Sequence, residues 1–220
     1  MIFQNRKEAG QKLAQKLSEY SGRDDVLALA LPRGGVPVAY EVAERLKAPL
    51  DVFLVRKLGV PGHEELAMGA IASGGARVLN ANVVGPLQIS DAVIDRVAEV
   101  EQAELERREE AYRDALPEPQ IPGKIIILID DGLATGATMR AAAMAIKEQM
   151  PKKLIVAVPV SSPQTCKEFE TEVDAIVCAA TPEPFLGVGM WYRDFSQTTD
   201  DEVRELLRAN RQRTRPGNGV

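Results

Sequence analysis

Two patterns of hydrophobic residues alternate along the chain. The first is a short, continuous apolar run flanked by glycine, proline or polar residues. It recurs at 26–31, 52–55, 125–129, 154–160 and 175–179. Such runs are typical of strands buried on both faces of a parallel sheet. The second pattern spaces apolar residues three or four positions apart, which predicts amphipathic helices. It covers 4–20, 36–47, 90–112, 139–150 and 200–207.

This alternation predicts one α/β domain over residues 1–207, with a mainly parallel sheet of about five strands and helices on both faces. Segment 58–79 is rich in glycine and is predicted as a loop, with a hairpin around Gly74-Gly75. Segment 181–199 fits no regular element and is predicted as a small hood or cap. The tail at 208–220 is rich in Arg, Asn and Gly and is predicted to be disordered.

The apolar run at 125–129 ends in the most distinctive stretch of the sequence. Asp130 and Asp131 follow it directly, and a loop of small and hydroxyl-bearing residues comes next. The loop consists of Gly132, Leu133, Ala134, Thr135, Gly136, Ala137 and Thr138. A helical pattern then begins. Because ligands of open α/β sheets bind at the carboxyl ends of the strands, this stretch is the predicted ligand site.

The residue types of this stretch suit a phosphorylated sugar. Glycines allow the backbone to approach an anion, amides at a helix start point towards it, and threonine hydroxyls add donors. The paired carboxylates suit ribose hydroxyls instead, and they can help to hold hydrated Mg²⁺. A Walker A loop is excluded because Ala137, not lysine, precedes Thr138, and the glycine spacing excludes a dinucleotide fingerprint.

Residues 130–138 resemble the PRPP-binding motif of the type I phosphoribosyltransferases, and the resemblance covers the core from 26 to 179. It implies that Asp130 and Asp131 hold the ribose hydroxyls of PRPP, and approach Mg²⁺ only through water or ribose. It implies that the loop 132–138 holds the 5′-phosphate. The implied reaction is transfer of the phosphoribosyl group to a nitrogenous acceptor with release of pyrophosphate. The alternative is an ordinary capped strand–loop–helix.

A second loop is predicted at the same edge of the sheet, after the first strand. It contains Arg33, Gly34 and Gly35, so a guanidinium and closely approaching amides would lie together, as an anion requires. The resemblance makes this the pyrophosphate loop; the alternative is a glycine turn with a surface arginine. Arg56 and Lys57 are predicted to end the next strand and to hold the leaving pyrophosphate. The alternative is that Arg56 and Lys57 are solvated residues at the end of a strand.

Two further pairs of residues are candidates through the resemblance. His63 and Glu64 lie in segment 58–79, which the resemblance implies is a mobile loop that closes over the reacting centre. Trp191 and Tyr192 lie in the predicted hood, where an aromatic ring would pack against the acceptor. The alternatives are a solvated histidine and a tryptophan that anchors the hood to the core.

The identity of the acceptor stays open. Family members that act on 6-oxopurines place an aspartate where this chain has Ala134, which speaks against hypoxanthine and guanine. Adenine, orotate, uracil or a non-nucleobase acceptor remain. Two other functions also stay open, a non-catalytic regulatory protein that senses PRPP and a phosphohydrolase that uses the same phosphate loop.

The composition of the chain indicates which kinds of partner the protein is expected to bind. The 220 residues carry a net charge of −5, which disfavours binding of nucleic acid. Cys166 and Cys178 have no metal-ligand spacing, so neither a zinc site nor a disulfide scaffold is predicted. No apolar run approaches the ~20 residues that span a bilayer. These features predict a cytoplasmic protein without a membrane partner, and a homodimer is the expected assembly.

Overall fold

The computed structural model describes residues 2–113 and 118–214. The eight strands of this part are β1 (Val26–Ala30), β2 (Leu50–Val52), β3 (Val55–Val60), β4 (His63–Ala72), β5 (Arg77–Leu79), β6 (Ile125–Ile129), β7 (Lys153–Val160) and β8 (Ala175–Ala180). Its α-helices are α1 (Arg6–Lys16), α2 (Gly35–Leu46), α3 (Ala81–Val84), α4 (Asp91–Arg113), α5 (Ala137–Glu148), α6 (Pro163–Phe169) and α7 (Asp200–Thr214).

The central sheet has five parallel strands in the order β2-β1-β6-β7-β8. The predicted fold class is therefore confirmed. Strand β6 lies in the middle, and its five residues are all buried. Alternate residues of β6 lie on opposite faces of the sheet. Ile127 packs in the cluster that contains α1 and α2, whereas Leu128 packs in the cluster that contains α5 and α6. Burial on both faces explains why the run lacks the polar alternation of a half-exposed strand.

The segment predicted as a loop at 58–79 is instead a small antiparallel sheet in the order β3-β4-β5. Its glycines mark close strand contacts: a Cβ on Gly59 would lie 2.8 Å from the Glu64 oxygen, and one on Gly69 would lie 2.5 Å from the Val78 oxygen. Glycine in a strand often marks such an approach of another backbone, so its frequency here misled the prediction. The hairpin around Gly74-Gly75 joins β4 to β5 as predicted.

The C-terminal helix is longer than the sequence pattern indicates. Helix α7 continues to Thr214, so the prediction of disorder is wrong for 208–214, and 215–220 lie outside the described residues. Asn210 explains the extension, because its buried side chain accepts a hydrogen bond from the Leu50 amide and donates one to the Ala48 carbonyl. This long-range contact stabilises a polar segment that has little apolar periodicity of its own.

The first residues of the chain join the predicted hood. Helix α1 begins at Arg6 rather than Gln4, since Asn5 caps it by accepting a hydrogen bond from the Glu8 amide. Phe3 then pairs with the hood: its amide donates to Trp191, and its carbonyl accepts from Arg193. The hood segment 181–199 contains one short 3-10 turn (Val188–Trp191) and, as predicted, no strand or α-helix.

The two cysteines form a disulfide between α6 and β8, in contrast to the prediction. Their spacing along the chain carries no sign that Cys166 on the helix lies over Cys178 on the neighbouring strand. No helix in the described ranges 2–113 and 118–214 is long and apolar enough to cross a bilayer.

Candidate active site

The parallel pairing of β1 with β6 brings two predicted loops together at one edge of the sheet. A Cβ on Gly34 would lie 2.1 Å from Oδ2 of Asp131, and a Cβ on Gly35 would lie 3.0 Å from Cα of Asp130. Real side-chain atoms do not approach so closely, so only glycine fits at Gly34 without a shift of the acid. The Gly34-Gly35 turn and the acid pair thus form one continuous surface.

The two acids lie in a crowded, partly buried environment. The Asp131 amide donates a hydrogen bond of 2.8 Å to Oδ1 of Asp130. Burial, and next the charge of Asp131, raise the pKa of Asp130 well above its usual value. Burial also raises the pKa of Asp131, while the Arg6 guanidinium opposes that shift. The pair can therefore hold a proton more readily than two exposed carboxylates.

Arg6 is a site residue that the sequence analysis missed. Its Nε and Nη2 atoms lie 2.9 and 2.8 Å from Oδ2 of Asp131. The Tyr192 hydroxyl donates a 2.6 Å hydrogen bond to the backbone oxygen of the same aspartate. An arginine that starts an amphipathic helix carries no local signal for such a contact, which depends on how the N-terminal segment folds back.

The predicted phosphate loop 132–138 rests on α6 and the start of α5. The Thr165 hydroxyl donates to the Ala134 carbonyl at 2.9 Å, and Arg140 donates to the Thr135 carbonyl at 2.7 Å. Gly136 has a φ of +73°, and a Cβ there would lie 2.7 Å from the Phe169 ring.

The loop itself remains open to solvent. Its residues Ala134, Thr135, Ala137 and Thr138 are exposed, and α5 begins at Ala137. The first amides of a helix lack intrahelical partners, so this exposed end can donate to an anion.

Arg33 lies beside this surface, as its position in the second loop predicts. The peptide bond between Pro32 and Arg33 is cis. The guanidinium is exposed, with Nη1 3.9 Å from Oδ1 of Asp200 at the start of α7. This weak surface ion pair leaves the guanidinium available for an anion at the Gly34-Gly35 turn.

Arg56 and Lys57 do not end a strand of the central sheet, so the prediction of their location is wrong. They lie near the start of β3, in the small antiparallel sheet. Both line a depression of about 550 Å³ that also reaches Glu64 and Thr138. The Arg56 Nε donates to Glu101 at 2.6 Å. The structure therefore brings the two cations to the end of the phosphate loop, beside Thr138.

The predicted mobile-loop residues lie at the start of β4. His63 is exposed and pairs in register with Val60. The Glu64 carboxylate accepts from the Gly62 amide at 3.1 Å, and hydrogen bonds from the backbone of Glu64 and Gly62 lower its pKa. Glu64 faces the depression, whereas His63 does not line it.

Trp191 and Tyr192 take different positions in the hood. Tyr192 is buried and fixed to Asp131 through its hydroxyl, and burial followed by the Asp131 charge raises its pKa. Trp191 packs in a small cluster around Phe3, and its buried Nε1 has no partner among the described residues. Phe195, which the sequence analysis did not single out, is 38% exposed and lies 4.0 Å beneath the Arg6 guanidinium.

The acid pair suits magnesium only as an indirect partner. Within 2–113 and 118–214, no group of three or more His, Cys, Asp or Glu could hold a metal ion. One oxygen of Asp130 accepts from a backbone amide, and Oδ2 of Asp131 accepts from Arg6. A hydrated ion would thus take most of its ligands from water and a phosphorylated substrate, the way in which Mg²⁺ is commonly held.

The fold is that of an α/β protein whose loops after β1 and β6 meet at the carboxyl edge of a parallel sheet, the edge at which open α/β sheets commonly bind ligands. The model of the phosphoribosyl transferase domain matches residues 1–183. The chain belongs to this phosphoribosyl transferase family.

Individual relatives agree with this assignment. A Mycobacterium tuberculosis protein, provisionally named a phosphoribosyl transferase, is 46% identical over 211 residues, which are 96% of this chain and 47% of the relative. The chain thus spans about half the length of that relative. The crystal structure of TT1426 from Thermus thermophilus has 39% identity and a TM-score of 0.83, covering 94% of this chain and 98% of that one. A bifunctional protein PyrR from Thermoanaerobacter is 32% identical over 119 residues, 53% of this chain and 61% of that protein.

Proposed function

We propose that the protein transfers the 5-phosphoribosyl group of PRPP to a nitrogenous acceptor and releases pyrophosphate. The contact of Gly34 with the Asp131 carboxylate carries this proposal. The contact brings the proposed ribose-binding pair and the proposed pyrophosphate loop to one surface, beside the exposed helix start that would hold the 5′-phosphate. The three features thus correspond to the ribose, the pyrophosphate and the 5′-phosphate of PRPP.

Each part of PRPP has a proposed partner. Asp130 and Asp131 accept hydrogen bonds from the ribose hydroxyls, since carboxylates are strong acceptors. The loop 132–138 binds the 5′-phosphate through backbone amides and the Thr135 and Thr138 hydroxyls. Amides of Gly34 and Gly35, with the Arg33 guanidinium, bind the pyrophosphate.

The proposed reaction is a displacement at C1 of the ribose. The bond from C1 to a pyrophosphate oxygen breaks, and a bond from C1 to an acceptor nitrogen forms. Positive charge develops on the ribosyl ring and negative charge on the leaving group, so the protein acts mainly by positioning charges. Arg33 stabilises the leaving group at the Gly34-Gly35 turn. Mg²⁺, held near Asp130 and Asp131 through water and the substrate, would further neutralise the charge of the pyrophosphate.

The small sheet is proposed to cover the reacting centre. Arg56, Lys57 and Glu64 line the depression that ends at Thr138, so closure of β3 and β4 over PRPP would bring both cations towards its phosphates. His63, at the exposed start of β4, would move with them. Exclusion of water would protect the reactive ribosyl centre from hydrolysis.

The hood is proposed to bind the acceptor. Trp191 and Tyr192 remain the aromatic candidates there, although the hydroxyl of Tyr192 is already engaged with Asp131. Ala134 is exposed and offers no carboxylate as a base, so the acceptor is not expected to be a 6-oxopurine. An acceptor nitrogen that is already nucleophilic would need no base at this position.

A PRPP-sensing regulatory protein is the second candidate. The similarity to a protein named as bifunctional favours it. A sensor would bind PRPP at the same residues without consuming it.

Pyrophosphate release distinguishes these two functions. The protein would be incubated with PRPP, Mg²⁺ and a panel of nitrogenous acceptors, with Asp131→Asn as the inactive variant and Arg23→Gln, at the opposite edge of the sheet, as the matched control. Release that depends on one acceptor and is lost only in Asp131→Asn supports transfer. Binding of PRPP without release under any acceptor supports the sensor.

Release of inorganic phosphate without an acceptor would instead indicate a phosphohydrolase.

The proposed location of the protein is the cytoplasm. Residues 1–207 are proposed to form a single domain, and two copies of the chain are proposed to form a homodimer. Sedimentation at several protein concentrations would test the assembly.

A further inference from the structure

We propose that Arg6 is a positioning residue for Asp131, fixing one oxygen of this aspartate so that the other faces the ribose. The inference rests on the proposed function, since it assigns a partner to a ribose-binding acid. Arg6 comes from the N-terminal segment, defined here as residues 2–6, which lies far from the acid pair in sequence.

The contact is specific to one oxygen. Arg6 Nε and Nη2 lie 2.9 and 2.8 Å from the same atom, Oδ2 of Asp131. Both side chains are largely buried, with 12% and 15% of their surfaces exposed. Among the described residues, the side-chain contacts to this carboxylate go to Oδ2, and we infer that Oδ1 accepts from a ribose hydroxyl. A charge-assisted pair of this kind fixes the carboxylate more firmly than a single neutral hydrogen bond.

Arg6 is itself held from several sides. Its Nη1 donates to the Ser196 carbonyl at 2.7 Å, and its guanidinium lies 4.0 Å from the centre of the Phe195 ring. Its backbone starts α1 behind the Asn5 cap, next to the pairing of Phe3 with the hood. Because these contacts exist before a ligand binds, the rotamer of Asp131 is preorganised.

The positive charge of Arg6 also prepares the acid pair for binding PRPP. Asp130 and Asp131 are adjacent carboxylates, and PRPP is a polyanion. Without a nearby cation, the two acids would repel each other and the ligand. Arg6 contacts Oδ2 of Asp131 and compensates one negative charge of the acid pair.

Lysine and arginine should differ at this position. The planar guanidinium donates from two nitrogens to one oxygen while it stacks on Phe195, whereas the ammonium of lysine is a point charge that cannot do both. Arg6→Lys therefore keeps the charge but loses the geometry, and Arg6→Gln loses both.

The test is calorimetric binding of PRPP in Mg²⁺ to the full chain and to the variants Arg6→Gln, Arg6→Lys, Asp131→Asn and the double variant. Arg23→Gln is the matched control, because Arg23 forms a two-contact ion pair with Asp25 at the opposite edge of the sheet. We expect Arg6→Gln to weaken PRPP binding by about 10- to 100-fold, the range for loss of a charged hydrogen bond. Arg6→Lys should recover only part of this loss, and the control should bind as the wild type does.

The double variant separates positioning from general stability. If Arg6 acts through Asp131, its replacement has little further effect once Asp131 is asparagine, so the two losses are not additive. Additive losses, or wild-type affinity in Arg6→Gln, would overturn the inference. Full recovery by lysine would also overturn it in favour of a pure charge effect.

Two controls keep the outcome interpretable. If Arg6→Gln does not fold, as judged by urea unfolding, Phe195→Leu keeps Arg6 and removes the ring that stacks on Arg6 and also packs on Tyr192. That variant should weaken PRPP binding by about two- to fivefold, and unchanged affinity there would count against the inference. Failure of the wild-type protein to bind PRPP would refute the proposed function itself, whereas wild-type binding that Arg6 does not affect refutes only the role of Arg6.

Discussion

Replacement of Gly34 by alanine tests the contact between the two loops most sharply. Gly34 has φ −61° and ψ −31°, a conformation that alanine adopts readily. On backbone grounds alone the substitution would be neutral or slightly stabilising. The added methyl group, however, would lie 2.1 Å from Oδ2 of Asp131, where ordinary contacts begin at 3.4 Å.

The expected effect of Gly34→Ala on stability and activity depends on the contacts that hold Oδ2 of Asp131. Asp131 must move its carboxylate by more than an ångström, and Oδ2 already accepts hydrogen bonds of 2.8 and 2.9 Å from Arg6. Overpacking of this kind costs about 1–3 kcal/mol of stability. A catalytic group displaced by ~1 Å can lose roughly 10²-fold in rate, so we expect kcat/KM to fall by about that factor.

Pyrophosphate release and urea unfolding would be measured on Gly34→Ala and on Gly85→Ala. Gly85 is the matched control, because it has φ −64° and ψ −59° and a new Cβ there would meet only the Ala81 carbonyl oxygen, at 3.1 Å. This contact is tight but lies away from the two loops, so the control should keep wild-type activity and lose less stability than Gly34→Ala. Wild-type activity in Gly34→Ala would refute the claim that this turn and the acid pair form one surface.

Three further predictions follow from other contacts. Thr165→Val removes the hydrogen bond to the Ala134 carbonyl and should weaken PRPP binding by about three- to tenfold in calorimetry, with little change in unfolding. Arg113→Ala removes the arginine that pairs with the largely buried Asp51 and Glu109, leaves Asp51 only a 3.9 Å ion pair with Arg211 among the described residues, and should cost about 3 kcal/mol in urea unfolding. Arg204→Ala breaks only an exposed pair and should cost below about 1 kcal/mol. Asp130→Asn should raise the melting temperature at neutral pH. The raised pKa of Asp130 means that its contribution to stability is present at acid pH and is lost as pH rises through the native pKa, so the asparagine variant should lack this part of the pH dependence.

The centre of the fold could be predicted because its signals are local. A short β-branched run such as 125–129 is typical of a strand buried on both faces of a parallel sheet, and β6 has this environment. Asp130 and Asp131 follow the strand directly, so the position of the acid pair at the sheet edge needs no long-range information. The same holds for Gly34-Gly35 after β1, because adjacent parallel strands end at one edge.

The remaining features depend on contacts between distant segments. Arg6 reaches Asp131 across 125 positions, and nothing around Arg6 in the sequence indicates it. The small sheet was missed because Gly59 and Gly69 resemble loop residues, while their role is to let neighbouring backbones approach. As a result Arg56 and Lys57 were assigned to the wrong sheet, although they still lie near Thr138.

The most direct test of the account is a calorimetric titration of the wild-type protein in Mg²⁺ with PRPP, ribose 5-phosphate and pyrophosphate. If residues 130–138 bind the phosphorylated ribose and Arg33-Gly34-Gly35 bind the pyrophosphate, PRPP binds saturably, one molecule per chain, and more tightly than either fragment. If none of the three binds, the loops at this edge do not form a PRPP site and the proposed function is wrong.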